Sequence, residues 1–167
     1  RVLFRSEPLA GDAFGLRVHT VPPNSQGYLA VGAASLVSQL VDAGRLPADA
    51  DSADWAHLLV EAATAAGHDR PDVLHHAADG RALLDAVVGR VAMIGDRASR
   101  RPVAGAAGDT TYLCTTDADG NGVSLIQSNA AGFGSHLVEQ STGINLHNRG
   151  LRFSVVEGHP AELAPRA

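Results

Sequence analysis

Residues 108–129 read GDTTYLCTTDADGNGVSLIQSN, a stretch that sets the character of the second half of the chain. Two segments, at 111–116 and 122–129, are rich in Thr, Val, Leu and Ile, and β-branched residues suit the pleated surface of a strand. A short run of Ala, Asp, Gly and Asn at 118–121 separates them. Because Asp, Asn and Gly readily adopt the backbone angles of tight turns, the stretch predicts a β-hairpin.

The part of the chain before this hairpin has helical patterning. Apolar residues recur at intervals of three and four in three segments, at 28–43, 52–66 and 80–91. Gly44 suits the end of the first helix, and either Ser52 or Asp51 suits the N-cap of the second. A short strand is also predicted at 16–20, ahead of a turn that contains two prolines.

The predicted secondary structure therefore changes from helix to strand near Asp109. Two further strands are predicted after the hairpin, at 142–148 and 151–156. The residues at about 95–109 combine Gly, Pro, Ala and clustered Arg without apolar periodicity, which predicts an exposed, mobile linker. The sequence thus predicts an α+β fold, helical before Asp109 and strand-rich after it.

Composition argues against several classes of partner and site. The chain has 167 residues, a formal net charge of −5 and 4% aromatic residues, and its 13 basic residues form no stripe, so a nucleic-acid partner is not expected. The single Cys114 cannot form an intramolecular disulfide or a Cys-rich metal site. No apolar run reaches the ~18 residues that a membrane span needs. The start RVLFRS and the end LAPRA look like cuts within a longer protein, so we expect the chain to be an internal fragment.

Motifs for metals and for serine nucleophiles are incomplete. The run DADGNG resembles the first half of a calcium loop, but Ser128 stands at the twelfth position, where such a loop needs a bidentate Glu. His75 and His76 lack a third ligand in a recognisable motif. The Gly-x-Ser-x-Gly pattern of a nucleophile elbow is absent around Ser25 and Ser135. We therefore expect no metal or other cofactor.

Thr110 is the remaining candidate nucleophile. A threonine hydroxyl reacts poorly unless a base takes its proton, and a free α-amino group on the same residue can do so, with an unperturbed pKa of about 7.7–8.0. That amine exists only if the bond between Asp109 and Thr110 is cut. A linker before this bond and a strand after it are the physical prerequisites for such a cut, and Thr110 is alternatively an ordinary strand residue.

The run TTYLCTTDADGNGVSLIQSNAAGFGS resembles the start of the small subunit of gamma-glutamyltransferases, also called glutathione hydrolases. Its SLIQSN and GFGS segments look most like the bacterial gamma-glutamyltransferase-like branch. EPLAGDAFGLRVHTVPPNSQG, the helix after it, HLLVEAATAAGHDR and STGINLHNRG also resemble this family, in the same order. The resemblance covers nearly the whole chain after RVLFRS.

This resemblance implies an N-terminal-nucleophile hydrolase fold, a four-layer αββα sandwich. It implies that residues 1–109 are the end of a large subunit and 110–167 the start of a small subunit of one precursor, which cuts itself between Asp109 and Thr110. Thr110 would then attack a γ-glutamyl amide, form an acyl-enzyme and pass the acyl group to water or an amine. The compartment, cytoplasmic or periplasmic, is left open.

The supporting residues of the family carry over unevenly. Ser128 occupies the place of a hydroxyl residue that hydrogen-bonds the nucleophile. The family's Asn for the substrate's α-amino group is here Ala130, with Asn129 one residue earlier. A Gln and an Asp that hold the same amine are replaced by Arg149 and Arg152. Two cations would repel an ammonium group and favour carboxylates, unless both are simply solvated surface residues.

Two alternatives to the glutamyl reading stay open. One is an amide acylase with a non-glutamyl substrate, similar to the β-lactam acylases, and the other is a non-catalytic homologue. The family's oxyanion-hole glycines and carboxylate-binding serines fall after Ala167, so the fragment alone is expected to be inactive. The predicted partners are a small amide substrate and the two subunits of the precursor.

Overall fold

The computed structural model describes residues 7–47, 49–100, 110–159 and 161–163. The chain divides into two compact units, Arg1–Ala104 and Gly105–Ala167, which are described in turn. Helix and strand are both present, which confirms the mixed α and β class. Among the helices in the described ranges, none is long and apolar enough to cross a membrane.

The first unit begins with a hairpin of β1 (Leu9–Ala13) and β2 (Leu16–Thr20). The strands pair antiparallel, and the two residues between them, Phe14 and Gly15, have φ of 54° and 73°. Positive φ at both central residues gives a two-residue turn the twist that a hairpin requires. The predicted strand at 16–20 is confirmed. Its partner was not predicted because LAGDA has no β-branched residue.

Helices make up the rest of this unit. Their bounds are α1 (Gly27–Asp42), α2 (Ala53–Gly67), α3 (Arg70–Val73) and α4 (Gly80–Val88), followed by a 3₁₀ turn at Val91–Met93. All three predicted helices are confirmed, and the Ser52 hydroxyl accepts a hydrogen bond from the N–H of Trp55, as expected of an N-cap. The third predicted helix, α4, ends at Val88, earlier than predicted. The single turn of α3 is too short to show periodicity.

The core of the first unit forms around α1, which packs against α2, α4 and β1. Its largest fully buried side chains are Tyr28, Val31, Leu36, Leu40, Leu84 and Val87. Burial is the main cause that raises the pKa of the Tyr28 hydroxyl. Helices α1 and α4 approach closely at Gly32, where an added Cβ would lie 2.4 Å from Val87 Cγ1.

We predict that Gly32→Ala destabilises the protein. The new methyl group overlaps Val87, whose β-branched side chain has little rotamer freedom, so the helices must separate. Overpacking costs about 1–3 kcal/mol and outweighs the roughly 1 kcal/mol by which Ala exceeds Gly in helix propensity. The matched control is Gly67→Ala in α2, where the added Cβ lies 3.8 Å from Leu29. Urea denaturation of the full-length precursor should show a loss for Gly32→Ala only; equal stability of the two variants would contradict the close packing.

The first residues of the predicted linker are bonded to the helical unit. Arg45 donates to the Ile94 carbonyl and pairs with Asp96, both at 3.0 Å. His57 Nε2 lies 3.0 Å from the Gly95 carbonyl, and the Ser99 N–H donates to buried Glu61 at 2.9 Å. Residues 101–109, with the predicted scissile bond, lie outside the described residues, so the cut and the subunit boundary stay predictions.

The second unit is built on the hairpin of β3 (Thr110–Thr116) and β4 (Gly122–Ser128). The strands pair antiparallel, from Thr110 opposite Ser128 to Thr116 opposite Gly122. This confirms the predicted hairpin, with strand ends one residue from the expected ones. Apolar residues on both of its faces are exposed in this chain, among them Tyr112, Leu113, Leu125 and Ile126.

Asp117 organises the turn between these strands. Its carboxylate accepts hydrogen bonds from the N–H groups of Asp119 and Asn121 and from the Asn121 side chain, at 2.8–3.0 Å. The Asn121 side chain is the largest of the causes that lower the Asp117 pKa. These contacts account for DADGNG as a turn. Within the described part of the chain, no three His, Cys, Asp or Glu side chains are grouped to hold a metal.

The two later strand predictions are wrong in extent. Only Ile144–Asn145 of the segment 142–148 is a strand (β6), and it pairs with β5 (Val138–Glu139). Residues Arg149–Arg152 form a 3₁₀ turn, and the segment 151–156 keeps only an isolated bridge from Ser154 to Glu162. Extended pairing stops because Asn148 bonds to the loop at 131–134 instead of a neighbouring strand.

Candidate functional site

Thr110 and Ser128 face each other where β3 begins and β4 ends. They are a cross-strand pair, so their side chains project from the same face of the hairpin. Thr110 Oγ1 donates a hydrogen bond to Ser128 Oγ at 2.9 Å. The nucleophile candidate therefore has a fixed acceptor for its hydroxyl proton, which holds its oxygen in one orientation.

Ser128 is itself held by the backbone that follows it. The Ala130 N–H donates to Ser128 Oγ at 3.0 Å, and Ala130 has a φ of 79°. This left-handed conformation costs a residue with a side chain on the order of 1–3 kcal/mol and persists where the surroundings impose it. The strained residue at the end of β4 thus positions the Ser128 oxygen that Thr110 contacts.

Arg149 lies at the same end of β4. Its Nη2 donates to the Ser128 main-chain carbonyl at 2.7 Å, and its own N–H donates to His147 Nδ1 at 3.2 Å. Arg152 ends the same 3₁₀ turn and is exposed. The structure therefore brings Arg149 to the residue that contacts Thr110.

Asn148 joins the turn to the loop after β4, a role that the sequence reasoning missed. Its Oδ1 accepts from the Ala131 N–H at 3.0 Å, and its Nδ2 donates to the carbonyls of Ala131 and Gly134 at 3.2 and 3.0 Å. Its main-chain N–H donates to the Asn129 carbonyl at 3.2 Å. The only advance signal was its place in STGINLHNRG, a segment of the resemblance.

Asn129 contributes its backbone to this arrangement and is one of the residues that line a groove of about 480 Å³. The groove is formed mainly by Thr111, Leu113, Leu125, Gln127 and Phe133, with Ser128, Asn129 and Gly132 at one end. Because side chains alternate along a strand, Thr111 and Leu113 point away from the face that carries Thr110. This groove therefore lies on the face of the hairpin opposite the Thr110 hydroxyl.

The comparison with known protein families follows this geometry. The sequence model of the gamma-glutamyltranspeptidase family matches residues 3–166. The chain belongs to the gamma-glutamyltranspeptidase family. Membership confirms the resemblance that the Thr-Thr strand, the Asp-Gly-Asn turn and the Phe-Gly loop indicated.

Two curated relatives are similar to the chain. A glutathione hydrolase-like proenzyme of Bacillus subtilis is 34% identical over 168 residues, which is 95% of the chain and 31% of that protein. An oxamate amidohydrolase proenzyme of Klebsiella pneumoniae is 35% identical over 150 residues, or 86% of the chain and 28% of that protein. The chain thus spans less than a third of either relative. No solved structure matches it significantly.

Proposed function

We propose that the chain is the junction of an autoprocessing precursor, in which Thr110 becomes the N-terminal nucleophile of an amide hydrolase and acyltransferase. Its expected substrates are γ-glutamyl amides such as glutathione. The observation that carries this proposal is the 2.9 Å hydrogen bond from Thr110 Oγ1 to Ser128 Oγ at the start of β3. Both relatives are named proenzymes, which supports a precursor that is cut.

Maturation would use the same hydroxyl as catalysis. Thr110 Oγ1 attacks the carbonyl carbon of Asp109, the peptide C–N bond breaks, and the acyl group moves from nitrogen to oxygen. Water then hydrolyses this ester, which leaves a carboxylate on Asp109 and a free amine on Thr110. Ser128 Oγ accepts a hydrogen bond from the Thr110 hydroxyl and so orients the attacking oxygen.

Turnover follows the same steps with a substrate amide. The new α-amine takes the proton from Oγ1 as the oxygen attacks the amide carbonyl, and the proton passes to the departing amine. An ester of Thr110 with the acyl group remains. Water or an acceptor amine then attacks that ester, so one difficult amide cleavage becomes two easier acyl transfers.

The exposed hairpin supports the proposed sandwich fold. Strands that alternate apolar and polar residues cover one side of a core, whereas strands buried on both faces are apolar on both. Here Tyr112 and Ile126 lie on one face and Leu113 and Leu125 on the other. Such a hairpin suits the inner layers of a four-layer N-terminal-nucleophile hydrolase, completed by the remainder of the precursor.

The direct test of this function is acyl transfer by the purified, matured full-length protein. We expect release of nitroaniline from γ-glutamyl-4-nitroanilide and transfer of the acyl group to an added amine such as glycylglycine. A protein that matures but neither hydrolyses nor transfers any acyl anilide would contradict the proposal and favour the non-catalytic homologue.

We predict that Ser128→Ala slows turnover without abolishing it. The change removes one hydrogen bond to the nucleophile, and a net contribution of about 1 kcal/mol corresponds to a roughly fivefold lower kcat. Ser124→Ala is the matched control, because Ser124 lies on the same face of β4 and its hydroxyl donates to the Tyr112 hydroxyl instead of contacting Thr110. Steady-state kinetics should separate the two. A Ser128→Ala enzyme as inactive as one without Thr110 would overturn the assigned supporting role.

A second candidate keeps the chemistry and changes the acyl group. The Arg149 guanidinium at the end of β4 favours an amide acylase with an anionic, non-glutamyl substrate. The oxamate amidohydrolase relative supports this alternative, since oxamate is the monoamide of a dicarboxylic acid.

A further inference from the structure

Arg149 is a cation placed beside the candidate nucleophile. One contact, at 2.7 Å, joins its guanidinium to the Ser128 carbonyl, and a second, at 2.9 Å, joins the Ser128 hydroxyl to Thr110. A guanidinium has five N–H donors in a planar fork, and one donor is engaged by this carbonyl. The carbonyl fixes where the side chain sits and leaves other donors of the fork for a ligand.

No carboxylate of the described residues neutralises this cation. The four ion pairs found among residues 7–47, 49–100, 110–159 and 161–163 all lie in the first unit, where they join Arg17 to Asp12, Arg45 to Asp96, Arg81 to Asp85 and Arg90 to Asp69. Arg149 is not among the arginines of these ranges that pair with a carboxylate.

Several acidic residues of this unit accept hydrogen bonds within their own turns. Asp117 accepts bonds within the β3–β4 turn. Glu139 accepts hydrogen bonds from the hydroxyl and N–H groups of Ser141 and Thr142. These bonds lower the pKa of the Glu139 carboxyl to about 2, and the bond from the Thr142 side chain has the largest effect. These two carboxylates are therefore committed acceptors, and neither of them pairs with Arg149.

We propose that Arg149 binds the carboxylate of the acyl group, and that the enzyme prefers monoamides of dicarboxylic acids that carry no α-ammonium group. The inference rests on the proposed role of Thr110 as nucleophile, and it favours the second, non-glutamyl substrate class over γ-glutamyl amides. A guanidinium binds a carboxylate with two parallel hydrogen bonds, whereas it repels an ammonium group at the same distance. A γ-glutamyl group brings both charges on one carbon, and a glutaryl group of the same length brings only the carboxylate.

Three chromogenic probes of matched length test this preference on the matured full-length protein. They are glutaryl-4-nitroanilide, which has the carboxylate, γ-glutamyl-4-nitroanilide, which has both charges, and 4-aminobutyryl-4-nitroanilide, which has the ammonium group. We expect kcat/KM for the glutaryl probe to exceed that for the γ-glutamyl probe at least tenfold, and the aminobutyryl probe to be the poorest.

Substitution of Arg149 separates binding from mere support of the fold. Arg149→Gln should lower kcat/KM for the glutaryl probe at least tenfold, chiefly through a higher KM, and should reduce the ratio of glutaryl to γ-glutamyl activity. Arg149→Lys keeps the charge and should restore part of that ratio. If Arg149 only anchored the Ser128 carbonyl, both probes would lose activity equally and the ratio would not move.

The outcomes distinguish this inference from the function on which it rests. Faster hydrolysis of the γ-glutamyl probe, or a ratio unchanged in Arg149→Gln, overturns the carboxylate preference and leaves Thr110 as the nucleophile. Failure of a matured wild-type protein to cleave any of the three probes counts against the proposed function and removes the inference with it. If Arg149→Gln does not mature, the ratio measured for Arg149→Lys decides, since loss of the preference there also contradicts a charge-based role.

Discussion

Thr110→Ala is expected to abolish both cleavage of the precursor and hydrolysis of amide substrates. The substitution removes Oγ1, the atom that attacks the carbonyl in both reactions, and leaves Ser128 without its cross-strand partner. Removal of a covalent nucleophile lowers kcat by a factor of about 10⁴ or more in hydrolases that act by acyl transfer. A denaturing gel should show one uncut chain, and a chromogenic assay should show no release above background.

Thr111→Ala is the matched control for this loss. Thr111 is the next residue of β3, but its side chain lies on the opposite face and lines the groove with Leu113 and Gln127. We expect this variant to mature and to retain activity. If Thr110→Ala still matured into two chains, or if Thr111→Ala were the inactive variant, the nucleophile would be misassigned.

Gly134→Ala should disrupt the loop that positions the site. Gly134 has a φ of 69°, and an added Cβ would lie 2.4 Å from the Leu146 carbonyl oxygen and 3.2 Å from His147 Cα. Backbone atoms cannot rotate away as a side chain can, so the loop must separate from the segment that carries Asn148 and Arg149. Left-handed strain and overpacking together cost roughly 3 kcal/mol or more.

Gly132→Ala isolates the clash from the backbone strain. Gly132 also has a positive φ, 51°, but an added Cβ there meets nothing within 4 Å. Denaturant unfolding of the full-length precursor should therefore rank Gly134→Ala well below Gly132→Ala, and only the first should impair maturation. Equal losses for the two glycines would show that the contact with Leu146 is unimportant.

Local sequence patterns predicted the helices and strands that are determined by their own residues. The helices α1 and α2 follow from apolar spacing and from the Ser52 cap, and the β3–β4 hairpin follows from Thr- and Val-rich segments around a turn. The hydrogen bonds from Asn121 to Asp117 within the turn set the strand register that places Thr110 opposite Ser128. Counting outward from this turn would have predicted that pairing from the sequence.

Other parts of the fold depend on contacts between distant residues. β1 has weak strand propensity and exists because it pairs with β2, and Ser35 of α1 donates to its Asp12 carbonyl at 2.7 Å. The predicted strand at 151–156 failed because the turn before it is fixed by bonds from Asn148 to a loop 14–17 residues away. The residue pattern within a segment cannot show which distant residues it will contact.

The residues of the candidate site also differ in whether local sequence patterns could predict their contacts. Thr110 and Ser128 were accessible because they share one hairpin. The contact of Arg149 with the Ser128 carbonyl joins residues 21 positions apart and could be found only in the structure. The order of several modest motifs allowed the family to be predicted. The charge at Arg149 differs from the family's pattern, and those motifs do not explain it.

N-terminal sequencing of the smaller chain from natively expressed full-length protein tests the central claim most directly. If Thr110 becomes a nucleophile by autoprocessing, the smaller chain begins TTYLC, since the bond before Thr110 has been cut. An active protein that remains a single intact chain, or a smaller chain that begins at another residue, would contradict the account.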